Sequence, residues 1–330
     1  MSFRAYVLTK EADAVNGAVT DFDEAALMPG EVTIRVEWSG VNYKDGLACS
    51  ATGRVVRNYP MIPGIDIAGT VSASADTSFK AGDKVVAIGY DIGISHFGGY
   101  AEMARLPAKW VCHLPAGLTT KEAAAIGTAG FTAAQSVEAL ENHGVTPASG
   151  PVLVTGATGG VGSTAVAMLA QLGHTVAAST GKASEHDYLR ALGATEILAR
   201  EEVAAESNRP LEGERWAGAV DPVGGTTTAY LLRTTKYGGS VALSGLTGGT
   251  AVPTAVFPFI LRGVNLLGID SVNIPVATRV PLWARLATDL KPKGLLESIA
   301  HETGLAGVGD ATRQILTGTI KGRVLINVNA

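Results

Sequence analysis

The alternation of apolar and polar positions changes character along the chain. Up to about residue 125 the apolar positions come in short β-branched or alternating runs, Arg4–Leu8, Glu31–Trp38 and Lys84–Ile88, punctuated by Pro29-Gly30, Pro63-Gly64 and Ala81-Gly82-Asp83. Such runs between turn residues predict strands of a small barrel-like domain. From about Thr120 the stretch KEAAAIGTAGFTAAQSVEAL places apolar residues three and four apart, which predicts one helix and the start of a second domain nearby.

Across 151–250 strand and helix patterns alternate: PVLVTG, STAVAMLAQLG, TVAAST, EHDYLRALGA, EILA, WAGAVDPVGG, TTTAYLLRTT and YGGSVALSG. Parallel strands joined by right-handed helical crossovers satisfy that alternation, so the expected class is α/β with a doubly wound sheet. Val264 to Ile269 reads as a further strand and PLWARLATDL as a helix. GRVLINVN reads as a closing strand that returns to the first domain.

Composition narrows the function. Of 330 residues 46% are hydrophobic and 17% charged, against about 25% charged in ordinary soluble proteins, so disorder driven by charge is excluded. The 41 glycines, about 12% against a usual ~7%, imply many tight turns. A net charge of -4 without a long basic run argues against nucleic-acid and membrane-surface partners and favours small-molecule chemistry. Cys49 and Cys112 form neither a disulfide framework nor a zinc pair, which suits a reducing compartment. Acids in MSFRAYVLTKEADA interrupt any signal-like apolar stretch, and no run of about 18 apolar residues follows. The expectation is a soluble cytoplasmic protein.

The segment from Val152 to Gly162, VLVTGATGGVG, is a strand, a glycine turn and a helix start. In Thr158-Gly159-Gly160-Val161 the glycines let the backbone approach a pyrophosphate that the helix-start amides face. Gly162 permits tight packing of helix on strand. Ala157 stands where G-x-G-x-x-G has a glycine, so the spacing is G-x-x-G-x-x-G. An ordinary glycine-rich turn is the alternative to dinucleotide binding. An NAD enzyme places an acid after the second strand; here the turn is Ser179-Thr180-Gly181-Lys182, with Arg200 after the third strand. Hydroxyls and cations suit the 2′-phosphate of NADPH, the alternative being a solvated surface turn.

Several segments together resemble the medium-chain dehydrogenase/reductase superfamily: Asn42-Tyr43-Lys44-Asp45, GRVVRNYPMIPGIDIAGTV at 53–71, GTAGFTAA at 127–134, TGATGGVGS at 155–163, DPVGG at 221–225 and PFILRGVNLLGIDSV at 258–272. They are similar to its zinc-free acrylyl-CoA reductase branch, often labelled quinone oxidoreductase, over nearly the whole chain. The resemblance implies a GroES-like β-rich catalytic domain over 1–125, completed by 273–330, and a Rossmann NADPH-binding domain over 126–272. It places Tyr43 against the NADPH and makes Leu246, Ile260, Ser271 and Asn329 cofactor-pocket contacts. It also implies a homodimer, with the strand Val264 to Ile269 pairing across a two-fold axis. Against the G-H-E-x-x-G motif of the zinc alcohol dehydrogenases this chain has Gly64-Ile65-Asp66-Ile67-Ala68-Gly69, and two cysteines replace four. No metal is therefore expected. The six histidines, His96, His113, His143, His174, His186 and His301, read as surface or structural residues.

Without a metal, the tractable acceptor is an alkene conjugated to a carbonyl, which takes hydride at its β-carbon while charge spreads onto oxygen. The expected reaction is NADPH-dependent reduction of a short 2-enoyl-CoA, acryloyl-CoA to propionyl-CoA, with protonation of the α-carbon. Tyr43 is the candidate catalytic group, with Asn42 and Asp45 shaping its loop and Asp45 capping a helix. Lys44, Arg54, Arg57 and Arg262 are candidate cations for the coenzyme A phosphates. Reduction of quinones or free enones is the first alternative, and a non-catalytic NADPH sensor the second.

Overall fold

A computed structural model describes residues 2–330. The chain divides into two compact units. One runs up to Thr128 and takes in Val272–Ala287 and Leu295–Ala330; the other comprises Ala129–Ser271 and Thr288–Gly294.

The first unit is β-rich. A hairpin pairs Ser2–Glu11 with Ala14–Asp23. A seven-stranded sheet contains the path Ala300–Gly304, Arg323–Asn327, Val32–Gly40, Asp66–Ser74, Lys84–Ile88 and Cys112–His113, and Met103–Leu106 also pairs with Val32–Gly40. The carboxyl-terminal strand does return here, Leu325 facing Gly40 antiparallel. Its core collects the inward-facing β-branched and aromatic residues, among them Val32, Ile34, Val36, Ile67, Val85, Tyr100 and Ile326. Alternation of the Val32–Gly40 strand seats Ile34 and Val36 inward and leaves Arg35 exposed.

The second unit is an all-parallel six-stranded sheet in the order Glu196–Ala199, Val176–Thr180, Val152–Val154, Trp216–Asp221, Thr235–Leu243, Asn265–Gly268. This is the doubly wound order with its reversal between Val152–Val154 and Trp216–Asp221, where ligands bind outside the carboxyl ends of the strands. The two central strands are buried on both faces and so read as apolar runs rather than alternations.

The predicted single helix after Thr120 needs correction. Thr120–Asn142 is broken at Gly127, whose φ of 48° and ψ of -159° are not helical. In an unbroken helix the Thr128 N–H would bond to the Ala124 carbonyl. Here it donates to Asp66 Oδ1 at 2.9 Å, while the carbonyls of Ala124 and Ala125 accept from Arg323. Polar partners from the sheet replace the helical bonds at the break. Alternation alone also did not reveal the short helix Tyr43–Ala48.

Candidate active site

In the second unit the strand Val152–Val154 ends in a turn that closes with the Gly159 N–H on the Gly156 carbonyl at 3.0 Å, and the helix Gly160–Gln171 begins. Gly156 has a φ of 52°, and a Cβ on Gly162 would stand 2.6 Å from Ala157 Cα, so both glycines are required by geometry. The amides of Gly160, Val161 and Gly162 lie in the first helical turn and have no acceptor within the helix. Gly159, Gly160 and Val161 are only partly covered.

The neighbouring strand ends beside this turn. Thr158 and Thr180 are buried with their hydroxyls 3.3 Å apart, and Thr180 Oγ1 accepts the Lys182 N–H at 3.0 Å. Arg200, the first residue of the helix Arg200–Ala204, lays its guanidinium over Gly181: a Cβ there would meet Nη2, Cζ and Nε at 2.5 to 2.7 Å. Gly181 is thus the residue that lets a second cation settle on the Lys182 turn. At the carboxyl end of Thr235–Leu243, Ser244 Oγ is buried without a partner among the described residues. An anion-ready helix start, two cations with no acid on the turn, and an orphaned hydroxyl at a strand end fit a phosphorylated dinucleotide.

Beside these groups Asp221 is fully buried and accepts from Thr155 Oγ1 at 2.6 Å, Thr228 Oγ1 at 2.5 Å and the Val223 N–H at 2.9 Å, which fixes the start of DPVGG. Leu246 and Ile260 are exposed apolar residues, and Ser271 is buried, accepting from Thr132 Oγ1 at 2.8 Å. Asn329 belongs to the first unit, where it is exposed.

In the first unit Asn42 precedes the helix Tyr43–Ala48. Tyr43 is 41% exposed, whereas Asn42 and Asp45 are buried. Asp45 Oδ2 accepts the Asn42 N–H at 2.8 Å and Oδ1 accepts the N–H groups of Gly64 and Ile65 at 3.2 and 2.9 Å. The carboxylate caps the helix and ties it to the Pro63-Gly64-Ile65 turn. Burial, and then the charge of Asp66, push its pKa up to about 7 against the pull of those N–H donors. Asn42 Nδ2 donates to Asp66 Oδ2 at 2.8 Å, and Asn42 Oδ1 accepts from Arg323 at 2.9 Å. Both side chains are buried and their polar atoms are engaged within the protein, whereas Tyr43 beside them is exposed.

The candidate phosphate cations separate. Lys44 is half-buried, Arg54 and Arg57 are exposed, and none makes an ion pair among the described residues. Arg262 differs: its guanidinium donates to the carbonyls of Arg233, Thr235 and Glu212 and lies 3.7 Å from Glu214. His96, His113 and His143 each bond a backbone carbonyl. Burial lowers the pKa of His174. No three His, Cys, Asp or Glu side chains gather to hold a metal ion among the described residues. Thr128, Arg323 and Ser244, which lie among these groups, carry no motif of their own in the sequence, and Asp66 lies there too. Only Asp66 carried a signal, as the acid that replaces glutamate in G-H-E-x-x-G.

A β-rich unit carrying an exposed tyrosine at the start of a braced helix, and a dinucleotide-type sheet, define a medium-chain dehydrogenase/reductase. The chain matches the alcohol dehydrogenase GroES-like domain over residues 28–116 and the zinc-binding dehydrogenase family over 160–287. It is 52% identical to the acrylyl-CoA reductase AcuI of Ruegeria pomeroyi, over 99% of this chain and all of that one. It superposes on yhdH of Salmonella enterica in complex with NADP with a TM-score of 0.96 at 49% identity, covering 98% of this chain and 99% of the other. For Bacillus subtilis yhfP with NAD bound the TM-score is 0.97 at 50% identity, covering 99% and 100%; the curated protein YhfP is named a quinone oxidoreductase. The chain belongs to the acrylyl-CoA reductase, quinone oxidoreductase-like family of this superfamily.

Proposed function

We propose that the chain reduces the C=C bond of a short 2-enoyl-CoA, acryloyl-CoA to propionyl-CoA, using NADPH. The observation that carries the cofactor is the pair of cations on the Thr180–Lys182 turn. The observation that carries the substrate is full-length 52% identity to an acrylyl-CoA reductase. When bound, NADPH supplies the hydride. The turn Thr158–Val161 would hold the pyrophosphate, Thr180, Gly181, Lys182 and Arg200 would hold the 2′-phosphate, and Leu246, Ile260 and Ser271 would line the remainder of the second unit's share of the pocket.

Tyr43 is the catalytic residue. Its half-exposed phenol donates to the acyl oxygen as enolate charge develops, or passes its proton to the α-carbon. An oriented donor of this kind contributes roughly 3 kcal/mol to a charge-developing step. Asn42 and Asp45 hold the phenol in place. Lys44, Arg54 and Arg57 meet the coenzyme A phosphates, whose binding orients the small acyl group. Two copies pair through the edge strand Asn265–Gly268, on which Leu266 is exposed. No helix is long and apolar enough to cross a membrane among the described residues, and the free Cys49 and Cys112 accord with a cytoplasmic setting.

NADPH consumption with acryloyl-CoA, crotonyl-CoA, acrolein, free acrylate and a quinone tests the reading. Specificity constants should fall from acryloyl-CoA to crotonyl-CoA and much further to free acrylate, which lacks the coenzyme handle. A quinone reduced with the higher specificity constant would replace this reading by the quinone reductase one, which the name of the Bacillus subtilis relative favours. No turnover with any acceptor would leave an NADPH-binding sensor.

A further inference from the structure

Two full charges are buried beside the Tyr43 helix, and no step of the proposed reaction uses them. Arg323 and Asp66 are 2% and 1% exposed and 2.8 Å apart. All five guanidinium N–H directions are engaged: Nε with Ala125 O at 3.1 Å, Nη1 with Val41 O at 3.0 Å and Asn42 Oδ1 at 2.9 Å, Nη2 with Asp66 Oδ2 at 2.8 Å and Ala124 O at 3.4 Å. Asp66 further accepts from Thr128 N, Thr128 Oγ1 and Asn42 Nδ2. A Cβ on Gly127 would run into both groups, so its glycine and its break in the helix belong to the same arrangement.

Burying an ion pair costs several kcal/mol per charge, and apolar residues of similar volume often serve stability equally well. Stability alone is therefore weak grounds for a charged pair at this place. Arg323 grips the carbonyl of Val41 and the side chain of Asn42, the two residues immediately before Tyr43. Asp66 orients that grip from the second side, and the broken helix supplies the remaining acceptors.

We infer that the Asp66–Arg323 pair is a positioning device for Tyr43, setting the phenol by holding Val41 and Asn42. This rests on the reading of Tyr43 as the catalytic residue. Arg323→Lys keeps a cation beside Asp66 but loses the planar fork that spans Val41 and Asn42. Misplacement of a reacting group by about 1 Å can cost ~10²-fold. Arg323→Lys should therefore lower kcat by ten- to a hundredfold and leave the dissociation constant of NADPH within twofold. With 3-fluorotyrosine incorporated and the Tyr43 resonance assigned from Tyr43→Phe, that resonance should shift or broaden in Arg323→Lys while the Tyr237 resonance stays. In the Tyr43→Phe background the loss from Arg323→Lys should shrink to less than twofold. Thr128→Val, which removes only one bond to Asp66, should act in the same direction and be rescued by Thr128→Ser, so the test stands if the arginine variant fails to fold. An unmoved Tyr43 resonance, or equal losses in both tyrosine backgrounds, overturns the inference. Full turnover by Tyr43→Phe, with the resonance still moving, refutes the catalytic reading while sustaining the positioning.

Discussion

Removal of Arg200 separates the two nicotinamide cofactors by a predictable factor. Its guanidinium lies over Gly181, and Lys182 occupies the same turn with its amide fixed to Thr180. A charge-assisted hydrogen bond contributes about 1.5–3 kcal/mol, or roughly ten- to 150-fold in a dissociation constant. Arg200 is exposed. Solvent screening therefore places its share at the low end, about tenfold for Arg200→Ala, and more salt should shrink it. NADH has no phosphate at the 2′ position, so its affinity should change by less than twofold. Gly181→Ala tests the geometry without removing charge: the added methyl occupies the place of the guanidinium and should displace it, giving a smaller loss specific to NADPH. Fluorescence titration of both reduced cofactors at two ionic strengths provides the assay. Equal weakening of NADH and NADPH, or an NADPH affinity untouched by Arg200→Ala, would refute the assignment of this turn to the phosphate.

Tyr43→Phe keeps the ring and removes the hydroxyl; steady-state turnover with acryloyl-CoA should fall by about 10²–10⁴-fold with NADPH affinity preserved, and unchanged turnover would make solvent the proton source. Asp45 should leave a signature in stability against pH. Its carboxyl is held near 7 in the fold, against an ordinary value of 3.8 in the unfolded chain, so the unfolded chain loses this proton first as pH rises. The contribution of this group to stability therefore falls between about pH 4 and 7 and levels off above, by a few kcal/mol at ~1.4 kcal/mol per pH unit. Thermal melts from pH 5 to 8 should show wild type losing stability relative to Asp45→Asn up to about pH 7 and no further above it, and parallel profiles throughout would contradict the shifted carboxyl.

The doubly wound sheet was legible because its information is local. Each strand of 151–250 is a short apolar run bounded by turn residues, and the glycine spacing at 156–162 carries its own geometric reason in the close approach at Gly162. The return of GRVLINVN to the first unit was legible for the same cause, since a final β-branched run needs a partner. The break at Gly127 was hidden because the residues on both sides keep helical spacing. What overrides that spacing is a carboxylate 61 positions earlier and a guanidinium 196 positions later.

Charged residues separate along the same line. Lys44, Arg54, Arg57 and Arg262 were alike as cations in the sequence, yet of the four only Arg262 has its guanidinium engaged by backbone carbonyls among the described residues. Arg323 carries no signal in the sequence, because an arginine opening a strand is ordinarily a solvated surface residue. Its burial depends on Val41, Asn42, Asp66 and the two carbonyls released by the broken helix all arriving at one place. Local pattern therefore marked the glycine turn, and the resemblance marked Tyr43, which the fold leaves exposed. The buried polar support beneath Tyr43 is set by long-range pairing, and for that reason it is best tested by variants that leave Tyr43 itself unchanged.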